Sequence, residues 1–150
     1  METVTVTESP MEHGDLPEQL YKVLAELLNR KSNVEVINSI RGEYGVLGFL
    51  SDCGEGATAS ELCGKLHVVP GRMADILKRL EQKELIFRTR TEDDRRVVKV
   101  FATEAGKKVS AEKRREIRED HEGLFKILSE EEVRELIRLL KIMLSYYPDK

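Results

Sequence analysis

Apolar and polar residues alternate with helical spacing over most of the chain, which predicts a mainly α-helical protein. Residues 1–14 lack this spacing, and we interpret them as a flexible tail. An acidic start containing Pro17 then opens a helical pattern with one apolar face over residues 15–42. The polar stretch at residues 29–33 leaves open whether this is one helix or two. A short apolar stretch, residues 43–50, predicts a buried helix.

Two short helices separated by three residues follow, and they indicate a helix-turn-helix. Thr58-Ala59-Ser60-Glu61 is a capping box, in which the threonine hydroxyl and the glutamate carboxylate each accept a free backbone N–H. Pro70 opens the second helix, because a first turn does not need the N–H that proline lacks. The residues predicted to face inward are Ala59, Leu62, Cys63 and Leu66 in the first helix and Met73, Ile76, Leu77 and Leu80 in the second.

A β-hairpin is predicted after these helices. Residues 85–90 and 97–102 are β-branched or alternating runs on either side of a charged cluster at residues 91–95. A helix-turn-helix followed by such a hairpin is a winged helix, which we place at residues 43–103. The predicted fold class is therefore mainly α with a small β-hairpin wing.

Two further helices are predicted beyond the wing. Thr103 caps the first, and its polar middle, residues 110–116, is interpreted as crossing solvent. Ser129 starts a second capping box, and the last helix has an apolar stripe wider than a small domain can bury. We therefore expect residues 15–42 and 104–147 to be dimerisation helices that intertwine with those of a second chain in a two-fold homodimer.

Charge is distributed unevenly along the 150 residues, a length that suits a single domain. With 25 basic and 28 acidic residues the formal net charge is −3, which on average argues against a nonspecific polyanion binder. Residues 65–99, however, contain 10 basic and 6 acidic residues. The positive charge thus coincides with the second helix of the helix-turn-helix and with the wing.

Several classes of protein are disfavoured by the sequence. No apolar run approaches the roughly 18 residues of a membrane span, and residues 1–10 have no targeting pattern, so we expect a cytoplasmic protein with no membrane partner. The sequence has no nucleophile elbow, HExxH motif or phosphate loop, so we expect no enzymatic activity. Two separate cysteines and three scattered histidines predict no disulfide, metal or cofactor. Cys53 has acidic neighbours, Asp52 and Glu55, which disfavour a redox-sensing thiol.

Basic residues of the second helix and of the hairpin are candidates for DNA contacts. Arg72 can donate two hydrogen bonds to a guanine in the major groove, while Lys78 and Arg79 can neutralise phosphates. Gly71 leaves room for a close approach of the backbone. The alternatives are a basic face that is merely solvated and a charged turn that merely aids solubility. The candidate residues are Pro70, Gly71, Arg72, Asp75, Lys78 and Arg79 in the helix and Arg88, Arg90, Asp94, Arg95 and Arg96 in the hairpin.

Residues 43–106 resemble the MarR family of bacterial transcription regulators. The most specific feature is the wing signature Asp94-Arg95-Arg96, followed by a strand and by Ala102-Thr103-Glu104-Ala105-Gly106, which is similar to the family's L-T-x-x-G. The resemblance implies that Arg95 enters the minor groove, with Asp94 as its orienting partner, and that residues 70–79 read the major groove. It also implies that the terminal helices dimerise and that a small aromatic or lipophilic effector binds between them and the winged helix.

The sequence departs from the family pattern at three positions. Ala102 replaces a leucine at the base of the wing. Glu84 stands where the family has the glycine that ends the recognition helix, so the left-handed turn must be reached in another way. Val69 replaces a serine or threonine cap, which leaves a backbone donor without a side-chain acceptor. These changes concern local stability rather than the charged residues.

The sequence as a whole predicts a sequence-specific transcription regulator that binds double-stranded DNA. We expect a ligand-responsive repressor that binds as a homodimer to a pseudo-palindromic operator, with half-sites about one helical turn (~10 bp) apart. The alternative is a winged-helix adaptor that binds proteins without specific DNA binding, because a fold alone does not establish nucleic-acid recognition.

Overall fold

The computed structural model describes residues 13–147 of the chain. Over this range the chain is mainly α-helical with one antiparallel hairpin, as the sequence predicts. The predicted tail, residues 1–14, lies outside the described residues except for its last two. The elements are α1 (Leu16–Leu28), α2 (Lys31–Arg41), α3 (Glu43–Asp52), α4 (Ala59–Leu66), α5 (Pro70–Gln82), β1 (Ile86–Arg90), β2 (Val98–Ala102), α6 (Glu104–Glu122), a 3-10 helix (Gly123–Lys126) and α7 (Glu130–Tyr146).

The hydrophobic core lies between α3, α4, α5 and the hairpin. Of the residues predicted to face inward in α4 and α5, Ala59 is exposed at the first position of α4, and Cys63 and Leu66 are half-buried against the core. The others are buried as predicted: Leu62, Met73, Ile76, Leu77 and Leu80. Apolar surface removed from water in this way is the main stabilising term of a small domain. The largest fully buried side chains are Leu47, Leu62, Met73, Leu77, Leu80, Val46 and Val100.

The helix-turn-helix, α4 and α5, has the predicted caps. The Thr58 hydroxyl accepts a hydrogen bond from the Glu61 N–H at 3.1 Å, and the Glu61 carboxylate accepts one from the Thr58 N–H at 3.2 Å. His67 ends α4 in the left-handed conformation, with φ +53°. Three residues later Pro70 opens α5, so the connection occupies the three predicted residues, 67–69.

The helix α5 ends at the expected place although Glu84 stands where the family has a glycine. Glu84 itself adopts the left-handed conformation, with φ +59°, and the Leu85 N–H then donates to the Leu80 carbonyl at 2.9 Å. The Thr103 hydroxyl donates to the Glu84 carbonyl at 2.8 Å. A side chain in this conformation is unfavourable because its Cβ crowds the backbone, so these hydrogen bonds offset local strain.

The hairpin pairs β1 with β2 antiparallel, with Phe87 opposite Phe101 and their rings stacked at 5.3 Å between centroids. Ala57 adds a short third pairing through two backbone hydrogen bonds with Val100, at 3.0 and 2.7 Å. Gly56 precedes it with φ +71°, and a Cβ there would lie 2.7 Å from the Phe101 ring. Glycine is therefore required where the chain passes the wing.

The start of α6 is packed tightly against Leu85, between α5 and β1. Thr103 caps α6 as predicted, its hydroxyl accepting the Gly106 N–H at 3.0 Å, and its own N–H donates to the Leu85 carbonyl at 3.0 Å. A Cβ on Gly106 would collide with the Leu85 carbonyl oxygen. The glycine of the wing signature is thus explained by close backbone packing at the base of the wing.

The middle of α6 corrects the interpretation of residues 110–116 as a solvent-crossing segment. This part of the helix packs along α3 instead, and Ser110 is only 3% exposed. Arg114, one turn further, donates to the Gly48 carbonyl and to the Asp52 carboxylate of α3. Arg114 is compatible with this packing because its guanidinium is hydrogen-bonded, while Glu112, Arg115 and Glu116 on the other side of α6 remain exposed.

The region before α3 consists of two helices, which decides the question left open by residues 29–33. Arg30 is extended (φ −67°, ψ 140°) between α1 and α2, and the Asn33 side chain donates to the Leu27 carbonyl at 2.6 Å across the break. Asp15 occupies the first cap of α1, but its carboxylate accepts a hydrogen bond from the Gln19 side chain rather than from a backbone N–H.

The terminal helices α1 and α7 contain no buried residue in the single chain. Both nevertheless have many large apolar side chains, which remain exposed to solvent. No helix between residues 13 and 147 is long and apolar enough to cross a bilayer. The exposed apolar side chains include Leu16, Leu20, Tyr21, Val23 and Leu27 on α1 and Leu136, Ile137, Leu139, Leu140, Ile142 and Leu144 on α7.

Candidate nucleic-acid interface

One face of α5 is buried and the other is a charged surface. Met73, Ile76, Leu77 and Leu80 fix the inner face against the core. This packing leaves every candidate residue of the helix on the opposite side, because positions three and four residues apart share a face. The exposed candidates are Pro70, Gly71, Arg72, Asp75, Lys78 and Arg79.

The three cations of this surface are available for an external partner. Within residues 13–147, none of Arg72, Lys78 and Arg79 forms an ion pair with another side chain. Most of the other ion pairs join residues three or four apart along a helix, as between Lys22 and Glu18. A cation without an internal partner can neutralise a phosphate without first breaking a contact.

Two of the candidate arginines of the hairpin hold the wing in place. The Arg88 Nε donates to the Glu81 carboxylate at 2.9 Å, which ties β1 to the last turn of α5. The Arg90 Nη1 donates to the Arg95 carbonyl at 2.6 Å, across the wing tip. Their contacts fix the orientation of the hairpin relative to α5 and the course of its tip.

The wing tip corrects the expected pairing of Asp94 with Arg95. The Asp94 Oδ1 accepts hydrogen bonds from the backbone N–H of Arg96 at 3.0 Å and from its Nε at 3.3 Å. An aspartate commonly accepts the N–H two residues ahead in a turn, which brings the side chain of that residue close as well. Arg95 is exposed and makes no ion pair within the part of the chain that is described.

Thr91 completes the tip, and the sequence analysis did not single it out. Its hydroxyl donates to the Asp94 carbonyl at 2.6 Å and accepts the Asp94 N–H at 3.2 Å. Glu81, the partner of Arg88, was missed in the same way. A threonine three residues before an aspartate is a recognisable turn signal, but the contact of Glu81 spans seven residues and depends on how the wing packs.

A cavity of about 350 Å³ lies between α6 and the winged helix. The Lys113 Nζ lies 5.0 Å from the centroid of the Tyr44 ring beside it, a cation–π distance. The hydrogen bonds from Arg114 lower the pKa of Asp52 below its ordinary value. The cavity is lined by Ile40, Tyr44, Gly45, Gly48, Phe49, Leu66, Ser110, Lys113, Arg114 and Ile117.

The family resemblance implies a cleft in this region, but none of the lining residues was predicted from the sequence. Ser110, Lys113 and Arg114 are spaced as one helix face, which was a usable signal once α6 was known to pack on α3. Both cysteines are half-buried free thiols, and the Cys53 Sγ donates to the Gly56 carbonyl at 3.4 Å. Cys63 packs against the core, as expected.

Comparison with known sequences identifies relatives for most of the chain. The model of the MarR family matches residues 44–98. The chain is 27% identical over 134 residues to the HTH-type transcriptional regulator YsmB of Bacillus subtilis (strain 168), covering 85% of this chain and 88% of that protein. It is 30% identical over 95 residues to the HTH-type transcriptional regulator YpoP of the same organism, covering 63% and 67%.

Comparison with solved structures supports the same fold. The crystal structure of Streptococcus pneumoniae FabT in complex with DNA has a TM-score of 0.70 at 23% identity, covering 87% of this chain and 96% of that one. MepR, a transcription regulator of the Staphylococcus aureus multidrug efflux pump MepA, has a TM-score of 0.67 at 22% identity, covering 87% and 98%. At this level of identity the likeness establishes the architecture.

The helix-turn-helix with its wing and flanking helices is the architecture that the chain shares with the solved structures of FabT and MepR. The match to the family model and to YpoP goes further, and the chain belongs to the MarR family. The members of this family are transcription regulators, not enzymes.

Proposed function

We propose that this MarR-family protein is a repressor that binds a specific double-stranded operator as a homodimer in the cytoplasm. The observation that carries the proposal is the concentration of exposed cations without internal partners on α5 and at the wing tip, in a chain whose net charge is −3. The FabT structure was solved with DNA, and so was a structure of MepR, which supports DNA as the partner of this chain.

In this proposal α5 occupies the major groove. Arg72 donates two hydrogen bonds to a guanine, and Lys78 and Arg79 neutralise phosphates on either side. Pro70 and Gly71 allow the start of the helix to approach the base edges closely. Asp75 is suited to accept a hydrogen bond from a cytosine amino group, since a carboxylate facing phosphate would be repelled.

The wing then lies over the minor groove. Arg95 is the residue we propose to enter it, because a narrow minor groove has a strongly negative potential. Arg96 contacts the adjacent backbone, with its orientation set by Asp94. Arg88 and Arg90 act on the DNA through the wing, because both are engaged in holding its position.

The apolar faces of α1 and α7 support the homodimer. Exposed apolar surface on this scale marks an interaction site in a soluble protein. We therefore propose that residues 15–42 and 104–147 join two chains, while residues 43–103 bind DNA. A two-fold dimer of this kind reads a pseudo-palindrome whose half-sites are about one helical turn apart.

Selection of bound fragments from a random duplex library, followed by titration of the recovered duplex at several salt concentrations, tests the proposal. The wild-type affinity should fall steeply with salt. Arg95→Ala should weaken binding to all sequences, and Arg72→Ala should also relax the preference at one base pair. Arg115→Ala, an exposed arginine on α6, removes the same charge away from the interface and should change binding little. Weak, sequence-independent binding by the wild type would instead favour the protein-binding adaptor.

The cavity between α6 and the winged helix supports a small aromatic or lipophilic anion as effector. Tyr44 and Phe49 offer apolar contacts and Lys113 a cation, all within the 350 Å³ space. Such a ligand regulates only if it binds the DNA-competent and incompetent arrangements with different affinity. Calorimetric titration with 2-naphthoate should detect binding that Lys113→Ala weakens about tenfold. Lys107→Ala, outside the cavity, is the matched control, and a titration without heat at millimolar naphthoate contradicts this assignment.

A further inference from the structure

The end of α5 that points toward DNA in the proposed complex begins with a large exposed apolar side chain. Val69 is 67% exposed, whereas its neighbour Val68 is only 7% exposed and belongs to the core. Pro70 and Gly71 follow, so the first side chain of the helix able to form a hydrogen bond is that of Arg72. The first residues to meet a base edge are therefore apolar.

Val69 occupies a position where a hydrogen-bonding side chain is the rule. It is the cap of α5, extended at φ −67° and ψ 149°, and it forms no side-chain cap. Thr58, Thr103 and Ser129 stand at the same position of α4, α6 and α7, and each hydroxyl accepts a backbone N–H. The cap residues of α1, α2 and α3, which are Asp15, Arg30 and Gly42, form no such bond either, but among these uncapped helices only α5 has an exposed β-branched apolar side chain at the cap.

We propose that Val69 contacts the 5-methyl group of a thymine in each half-site, beside the base pair that Arg72 reads. The inference rests on the proposed major-groove binding of α5. The thymine methyl is the apolar group that B-DNA displays in the major groove, and apolar side chains recognise it by direct contact. Valine suits this use because its branched side chain has few rotamers and loses little freedom on binding.

The surroundings of Val69 favour DNA over a protein partner. Lys65, His67 and Arg72 are exposed on either side of it, so the apolar surface is confined to Val69 and Pro70 within a polar region. A protein-docking patch requires a contiguous apolar area of several residues. Contact with a thymine methyl group, by contrast, needs only one apolar side chain of the size of valine.

A uracil scan of the selected operator tests the contact. Each thymine of the duplex recovered by random selection is replaced in turn by deoxyuridine, which removes only the methyl group. Wild-type protein should lose about fourfold in affinity per half-site at one position, the effect of one methyl group left unburied. Val69→Ser should bind thymine and uracil duplexes equally there, whereas Val69→Thr, which keeps one methyl, should retain part of the discrimination.

The outcomes separate this contact from the proposed function. If a duplex is enriched but no uracil substitution weakens wild-type binding, or Val69→Ser discriminates as well as wild type, the contact is refuted and DNA recognition stands. If no duplex is enriched at all, both are refuted. Because Val69 is exposed and serine is a good cap, Val69→Ser should unfold at the same temperature as wild type or higher, which excludes misfolding as a cause.

Discussion

The guanidinium of Arg114 donates to both carboxylate oxygens of Asp52, at 3.0 and 2.7 Å. The same guanidinium also donates to the Gly48 carbonyl at 3.1 Å. A Cβ on Gly48 would lie 3.1 Å from the Arg114 Nη2. The pair fastens α6, which leads to α7, onto the first helix of the winged helix. It therefore helps to set the angle between α6 and the winged helix.

Removing this ion pair should have a small effect on stability. Both side chains are more than half exposed, so solvent screens the attraction, and such pairs contribute about 0.2–1 kcal/mol. We expect Asp52→Asn to lower the free energy of unfolding within that range in urea. Glu112→Gln, which affects an exposed pair confined to α6, is the control, and an equal loss in both variants would show that the link between α3 and α6 has no special role.

The same pair predicts a pH dependence of known sign. Arg114 lowers the pKa of Asp52 in the folded protein, mainly by hydrogen bonding. The stabilisation is therefore fully present above the pKa of the unfolded chain and is lost as the pH falls through the folded pKa. Urea unfolding from neutral to acidic pH should show the difference between wild type and Asp52→Asn shrinking toward acid. A difference that grows toward acid would contradict the assignment.

Glycine at position 84 should stabilise the protein. Glu84 adopts a left-handed conformation that is unfavourable for a residue with a Cβ. We expect Glu84→Gly to raise the free energy of unfolding by up to about 1 kcal/mol, as measured by chemical denaturation. Gln82→Gly, two residues earlier within α5, should instead lower it by a similar amount, because helical glycine is entropically unfavourable. A loss of stability in both variants would argue against strain at position 84.

Alanine at position 106 should be strongly destabilising. The new Cβ would collide with the Leu85 carbonyl oxygen. Because this oxygen belongs to the backbone, it cannot move aside as the end of a flexible side chain could. We expect Gly106→Ala to lower the free energy of unfolding by about 1–3 kcal/mol, the usual range for overpacking. Gly123→Ala is the matched control. Open space surrounds position 123, so this variant should not be destabilised by a steric clash. Equal thermal stability of the two variants would refute the steric argument.

A charge on the apolar face of α7 should separate the proposed dimer. Leu140 is 45% exposed in the single chain, and its burial between two chains would be worth about 1.5–3 kcal/mol per side chain. Leu140→Glu should therefore raise the dimer dissociation constant at least tenfold in sedimentation experiments. Lys141→Gln is the control: it changes the neighbouring position without placing a charge on the apolar face, and it should leave the dissociation constant unchanged. An unchanged dissociation constant for Leu140→Glu would exclude this face from the interface.

The elements that follow from short-range chemistry are those the sequence predicted well. The capping boxes at Thr58 and Ser129, the opening of α5 at Pro70 and the hairpin are each encoded within a few residues. Family membership likewise rested on a contiguous signature at the wing. The roles of the candidate DNA-binding residues stay predictions, although α5 presents its candidates on a single exposed face.

One error arose where distant segments decide the outcome, and the other arose within a tight turn. The polar middle of α6 looked solvated because its partners, Gly48 and Asp52, lie more than sixty residues away. At the wing tip, the expected contact of Asp94 with Arg95 was wrong because the turn places the next residue, Arg96, over the carboxylate. The cavity could not be located from the sequence, because it forms only where α6 packs against the winged helix and its lining residues are distant in the chain.

One hydroxyl group joins the two functional halves of the chain. Thr103 donates to the carbonyl that follows α5 and accepts the N–H that begins α6. Residues 84 and 106, which border α5 and α6, are therefore tied to one side chain at the wing base. In the proposed dimer, a tilt of α6 would move α5 with it as one rigid body and leave the apolar core unchanged.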